Sequence, residues 1–271
     1  RMTKVLGIVL PVGLMLASCS QSLEIGDQTE GTQGQLAFKL DSKTDFIVNT
    51  RALQESSYKN VDNYTVVVTD KDGTEKLNCK YSEVVSKMPL TLPIGGYSVK
   101  AYYGKESAAS RDEFYVVGTE HGTIKANQKE SVMVTCTPTC GRISVAFASD
   151  MDTYFSDYNV TFTGTEALGT NTIAWLKGET EPWYVKLKED TAGESINFTI
   201  TTTTKDEYLN GNKEQVTTKN GTFKLSRNKA YKMNINTSYN PSGTGNVDIE
   251  VTIDETTNDK YVDIEVPVEW L

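Results

Sequence analysis

The sequence predicts an all-β protein: two β-sandwich domains with Ig-like strand spacing, set behind a lipoprotein signal and a short tether. Three observations lead there. Apolar and polar residues alternate at period two in run after run, and no long segment carries helical periodicity. Thr, Tyr, Val and Ser are frequent while Pro is sparse, a composition that suits strands. Apart from one run at the start, no stretch is long and apolar enough to approach the roughly 20 residues that a membrane-spanning helix needs.

That opening run is organised like a secretory signal. Arg1-Met2-Thr3-Lys4 is basic, and Val5 to Leu16 is apolar but for Gly7, Pro11 and Gly13. Its length matches the apolar region of an export signal, about 7–15 residues. It ends in Leu16-Ala17-Ser18-Cys19, a lipobox, in which small residues fit the peptidase and the thiol carries the lipid. Residues 1–18 are therefore expected to be removed, and Cys19 to become the acylated N-terminus. Ser20 stands where an Asp would favour the inner membrane, so a lipid-anchored protein of the outer membrane, displayed on the cell surface, is expected. Residues 19–33, polar and rich in Gly, Thr and Gln, form the lipidated tether.

The net charge is −9, and losing Arg1 and Lys4 with the signal makes the chain more acidic still. An acidic surface repels nucleic acid and anionic headgroups, so the membrane is expected as a partner only through the lipid. The remaining length suits two domains, at 34–140 and 141–271, with Thr137-Pro138-Thr139-Cys140-Gly141 as the junction.

Each strand is predicted by its own alternation. In the first domain Leu36, Phe38 and Leu40 share a face, then Tyr64, Val66 and Val68, ending in the turn Asp70-Lys71-Asp72-Gly73. Tyr97 to Tyr103 follows. Phe114–Gly118 and Gly122–Lys125 are read as two short strands with His121 in the hairpin between them, and Val132, Val134 and Cys136 close the set. In the second domain the in-phase sets are Ile143, Val145 and Phe147; Tyr158, Val160 and Phe162; Ile196, Phe198 and Ile200; Tyr231, Met233 and Ile235. Val247, Ile249, Val251 and Ile253 follow, then a last run of Val262, Ile264, Val266, Val268 and Trp270. Weak helical character is confined to Ser107–Arg111 and Ser149–Phe155.

No catalytic constellation emerges, and neither a cofactor nor a metal is expected. His121 is the single histidine, so any triad would need it, and no G-x-S-x-G elbow is present. Asp70-Lys71-Asp72-Gly73 begins like a calcium loop but lacks the later ligands. Asp150, Asp152 and Asp157, and Asp254, Glu255 and Asp259, are acid clusters beside strands, read as solvated loop charge. Export permits a disulfide, and Cys79, Cys136 and Cys140 allow three single pairings or remain buried thiols. Trp175, Trp183 and Tyr184 could form a sugar-stacking platform, the basis of an alternative reading as a surface glycan- or protein-binding module of a nutrient-uptake system; such rings also serve as core.

Several pieces of the first half resemble a domain of unknown function found in Bacteroidales-type lipoproteins. They are Gly34-Gln35-Leu36, Thr50-Arg51-Ala52, Val61 to Val66, Leu92-Pro93-Ile94-Gly95-Gly96-Tyr97-Ser98-Val99-Lys100-Ala101, Tyr115–Gly118 and Val132–Cys136, together covering about 34–148. The layout of lipobox and two β domains is similar to the fimbrillin superfamily of fimbrial subunits. That resemblance implies transthyretin-like sandwiches, no enzymatic activity, a structural role in adhesion or fimbriae, and other fimbrial subunits or host and glycan ligands as partners. It gives Arg51 meaning as a protease cleavage site that would free the first strand, with the C-terminal run as the strand offered to a neighbour. It also makes Asp190-Thr191-Ala192 an O-glycan acceptor pattern.

Overall fold

The computed structural model describes residues 31–45, 53–189, 192–209, 215–239, 247–255 and 263–264. The first half contains β1 (Gln33–Ser42), the one-turn helix α1 (Leu53–Ser57), β2 (Thr65–Asp70), β3 (Glu75–Lys80), α2 (Tyr81–Val84), β4 (Leu90–Pro93), β5 (Gly95–Gly104), β6 (Ala109–Ser110), β7 (Tyr115–Ile124) and β8 (Lys129–Pro138). The second contains β9 (Cys140–Phe147), α3 (Met151–Tyr154), β10 (Phe155–Thr163), β11 (Ile173–Leu176), β12 (Trp183–Lys186), β13 (Glu194–Thr204), β14 (Gln215–Leu225), β15 (Ala230–Tyr239), β16 (Val247–Glu255) and β17 (Asp263–Ile264). The protein is all-β, as the alternation predicts.

The two halves repeat one topology. In the first, β1 lies between a parallel partner, β8, and a short antiparallel one, β4. In the second, β9 lies between parallel β15 and short antiparallel β12. The other layer runs β3-β2-β5-β7 in the first half and β11-β10-β13-β14 in the second, antiparallel throughout.

The halves close differently. The end of β8 leaves β1 and pairs with β7 through Val116↔Pro138 and Val117↔Thr137, so all seven first-half strands other than β6 form one sheet folded over at that corner. Gly118 makes the corner possible: a Cβ there would stand 2.3 Å from the Thr135 carbonyl oxygen. The inner face wraps a core that includes Leu36, Phe38, Tyr64, Val66, Val99 and Val134. In the second half the two layers stay separate sheets, of four and six strands, facing across a core with Phe162, Trp175, Phe198, Ile235 and Ile253. The six-stranded sheet is completed by β6, which leaves the first half to pair with β12 through Tyr184↔Ser110 and Val185↔Ala109.

Two local expectations change. Ser107–Arg111 is not helical: it contains β6, because β12 offers an open edge there. His121 is in no hairpin, because Tyr115–Gly118 and Gly122–Ile124 belong to one element, β7. Its ladder to β5 continues through Thr119, Glu120 and His121, since main-chain pairing needs no apolar alternation. Ser149–Phe155 does hold one helical turn, α3.

Candidate functional site

The halves meet at a dense set of contacts around Thr139, the single residue between β8 and β9. Thr139 is buried; its N–H is donated to the Tyr115 carbonyl at 2.9 Å, and its carbonyl accepts from Leu187 N–H at 3.0 Å. The turn between β14 and β15 reaches back with Asn228. This side chain accepts from Asp45 N–H at 2.8 Å and donates to the Lys43 carbonyl at 2.7 Å. Asn228 holds φ +59°, a left-handed conformation that Asn tolerates.

Glu55 on α1 is the buried charge of this junction, 2% exposed. Its Oε1 accepts from Arg142 Nε on β9 at 2.9 Å and from the Tyr184 hydroxyl on β12. A buried carboxylate needs such partners, because the interior solvates charge poorly. Burial first, and then the Glu55 hydrogen bond, hold the Tyr184 phenol well above its ordinary pKa. Tyr58 stacks on Phe114 at 3.7 Å between centroids, and Phe114 meets Tyr184 at 4.7 Å. A cleft of about 260 Å³ opens here, lined by these three rings, Glu55 and the more exposed Arg111, Asp112 and Glu181.

Next to it, Arg111, which follows β6 directly, lies between two indoles. Its guanidinium is 5.0 Å from the Trp175 ring centroid and 4.5 Å from that of Trp183. It donates to the Ala174 carbonyl at 2.9 Å, to Glu179 at 2.5 Å and to the Glu181 carbonyl. Trp175 Nε1 donates to the Glu179 carbonyl at 3.0 Å and Trp183 Nε1 to the Ala174 carbonyl at 2.8 Å. The proposed stacking platform of Trp175, Trp183 and Tyr184 is therefore not an open one. Trp175 and Tyr184 are buried, Trp183 is half-buried, and Arg111 takes the ring faces a sugar would need.

Cys79, Cys136 and Cys140 are buried and form no disulfide with one another. Cys79 on β3, Cys136 on β8 and Cys140 on β9 each enter the first core from a different strand. The Cys136 thiol lies 3.7 Å from the Ala101 carbonyl, and burial pushes its pKa up to about 12.

The acid clusters have protein partners. Asp152 pairs with Lys177 at 2.7 Å and accepts from the Tyr158 hydroxyl at 3.0 Å; Asp150 accepts from Thr237, and Asp157 from Tyr158 N–H. Asp254 accepts from Asn234 at 2.7 Å, and Glu255 pairs with Lys229 at 3.2 Å. Asp70 is a turn former: its carboxylate accepts from the N–H groups of Asp72 and Thr74, which holds its pKa low. Among the described residues no three His, Cys, Asp or Glu side chains form a metal-holding group. His121 is exposed on β7, opposite Ser98. Cys19, Arg51, Thr191, Asp259 and most of the last apolar run lie outside the described residues.

No sequence pattern points to Glu55, Arg142 or Arg111. One charged residue beside a strand run looks like any solvated charge until the topology buries it.

A family profile described as a domain of unknown function, DUF4493, matches residues 32–268. The chain belongs to that family. The match corrects the extent of the resemblance, which runs through both halves rather than ending near residue 148. No curated protein matches the chain. Among solved structures it is similar to a fimbrial assembly protein from Parabacteroides distasonis, at 12% identity and TM-score 0.43, covering 86% of this chain and 99% of that one. The fimbrial anchor protein Mfa2 from Porphyromonas gingivalis gives 11% identity and TM-score 0.42, covering 85% and 99%. A chain from Bacteroides thetaiotaomicron, proposed to bind polysaccharide, gives 15% and 0.42, covering 89% and 100%. Scores below 0.5 at such identity carry no functional weight.

Proposed function

We propose that the protein is a lipid-anchored structural subunit of the outer membrane surface, of the adhesion or fimbria type, without enzymatic activity. The observation that carries this reading is the lipobox Leu16-Ala17-Ser18-Cys19 and the polar tether that leads from it directly into β1. A chain tethered there displays two rigid β units to the outside and needs no catalytic group to serve as a joint or a contact surface. Arg51 lies after β1, so cleavage there separates the lipid and β1 from the rest of the fold. Leu36 and Phe38 then leave an inner groove that an extended strand of another subunit can fill.

The test is Cys19→Ala in the native host. The parent incorporates radioactive palmitate, partitions with the outer membrane and is removed from whole cells by external protease. The variant loses label and membrane partition together. A variant that stays on the membrane as the parent does refutes the anchor. For assembly, cleavage after Arg51 yields concentration-dependent oligomers, and a cut chain that stays monomeric refutes the exchange.

A further inference from the structure

The outer edge of β16 is paired at one end only. β17 accompanies Asp254 and Ile253, and from Thr252 to Val247 that side has no strand partner among the described residues. Ladder directions alternate along a strand. Ile235 on β15 turns its carbonyl to Ala148, just past β9, so the odd-numbered residues of β15 bond toward β9 and the even-numbered ones toward β16. Asn234, Asn236 and Ser238 stand opposite Thr252, Glu250 and Asp248. The main chains of Ile253, Val251 and Ile249 therefore face the outer side.

One of these positions is capped by side chains. Ile249 donates its N–H to the Asp248 carboxylate at 3.0 Å, and its carbonyl accepts from Lys219 Nζ at 3.1 Å. Lys219, which also pairs with Asp248, comes from β14 in the facing sheet, and its side chain is 16% exposed. A lysine laid on a strand edge blocks further pairing there.

The sequence after β17 keeps the phase of this edge. Continuing the register Ile253↔Ile264 sets Val266 opposite Val251, Val268 opposite Ile249 and Trp270 opposite Val247. Directly opposed residues share a face. Ile249, Val251 and Ile253 belong to the second core, and Val247 packs against it. Pro267 falls where the main chain turns away from β16, a position that needs no N–H donor.

We propose that residues 265–271 dock as a strand on the outer edge of β16 of their own chain, in the register that β17 begins. Val266 and Val268 supply main-chain partners to Val251 and Ile249, and the Ile249 groups leave Asp248 and Lys219 for the new strand. Lys219 then stands beside Asp248 and Glu269, which face each other across the ladder. Pro267 closes the new edge to any further strand. A run held by its own chain is not offered to a neighbouring subunit. The inference rests neither on membrane anchoring nor on cleavage at Arg51.

The test compares two double variants of the purified chain under mild oxidation. Glu250→Cys with Pro267→Cys sets two thiols across a non-hydrogen-bonded pair, where Cα atoms stand about 4.5 Å apart, a span that a disulfide bridges. Glu250→Cys with Glu269→Cys is the control, one diagonal out of register. Cys79, Cys136 and Cys140 are buried and do not compete. The first pair forms an intrachain disulfide, identified by peptide mass, at least about tenfold faster than the control. Deleting residues 265–271 speeds hydrogen exchange at the Val251 amide by about tenfold or more. The cross-link is made in the undeleted chain, so it decides the matter even where the deletion unfolds the second half. Equal cross-linking of the two pairs, a disulfide found only between two molecules, or Val251 exchange indifferent to the deletion each overturns the proposal.

Discussion

The first half closes on itself, whereas the second is closed by its neighbour. Both carry the same strand order, yet β8 turns the corner onto β7 while the equivalent β15 remains in its own sheet beside β16. The outer edge of β12 is taken by β6, a piece of the first half, and the equivalent edge of β4 has no strand partner among the described residues. Glu55 and Arg111 reach in the same direction, from the first half into the second. Shared topology thus does not imply equal independence. The second half depends on a strand it does not contain, whereas the first borrows only side chains, Cys140, Tyr184 and Ala230 in its core, and keeps an edge without a strand partner among the described residues.

Breaking the shared charge tests this most severely. Glu55→Ala leaves the Arg142 guanidinium, 15% exposed, and the Tyr184 hydroxyl without their carboxylate. Removing one partner of a buried pair costs about 3–5 kcal/mol. Urea unfolding followed by hydrogen exchange should show β9 and β12 losing protection first, with β5 still protected. Equal loss in both halves would mean that the junction is a symmetric weld.

The corner is the converse case, because it belongs to the first half alone. Gly118→Ala drives a methyl group against the Thr135 carbonyl, and overpacking of this kind costs about 1–3 kcal/mol. Gly96→Ala on β5 meets nothing within 4 Å and should stay within about 0.5 kcal/mol of the parent. Denaturation of the two variants side by side separates the corner from a general glycine effect.

The clasp by Arg111 is next. Arg111→Lys keeps the charge but loses the planar stack on Trp175 and Trp183 and the forked donation to Ala174 and Glu179, for about 1–2 kcal/mol. Tryptophan fluorescence should change before any unfolding, because both indoles lose the planar guanidinium stacked against them. An unchanged spectrum would place the clasp outside the forces that hold the halves together.

Strands were legible wherever one face is buried. Ile143 to Phe147, Tyr158 to Phe162, Ile196 to Ile200, Tyr231 to Ile235 and Val247 to Ile253 all fall within β9, β10, β13, β15 and β16. Their partners were not legible, since alternation marks a buried face and says nothing about which strand lies alongside. β1 pairs in parallel with β8 across most of the first half, and the repeat between the halves exists in topology without a matching sequence period. The short strand β6 gave no signal either: Ala109 and Ser110 are strand only because β12 pairs with them. Of the candidate sites, Trp175, Trp183 and Tyr184 were picked out with core and platform both open, but nothing marked Arg111, distant in sequence from both indoles, as the residue set against the two indole rings. The charges that join the halves were missed for the same reason.

The smallest effect at neutral pH concerns the thiols, and it separates the two cores. Cys79, Cys136 and Cys140 all lie in the first core, and the second core contains none. Burial raises Cys136 from an ordinary value near 9 to about 12, so its thiol stays protonated at pH 8 and is a poor nucleophile. A raised folded pKa contributes stability that is complete below the unfolded value and is lost as pH rises toward the folded one. The first half should therefore weaken between about pH 9 and pH 12, while Cys136→Ala should flatten that part of the profile at some cost in packing. In the parent at pH 8, iodoacetamide should label Cys136 only as fast as the first core opens. Glu55→Ala should then leave that rate nearly unchanged while β9 and β12 lose amide protection, because the junction carries the second half more than the first. Labelling that accelerates as much as the exchange of β9 and β12 would show that one opening serves both halves, and the asymmetry drawn from the strand pairing would fail.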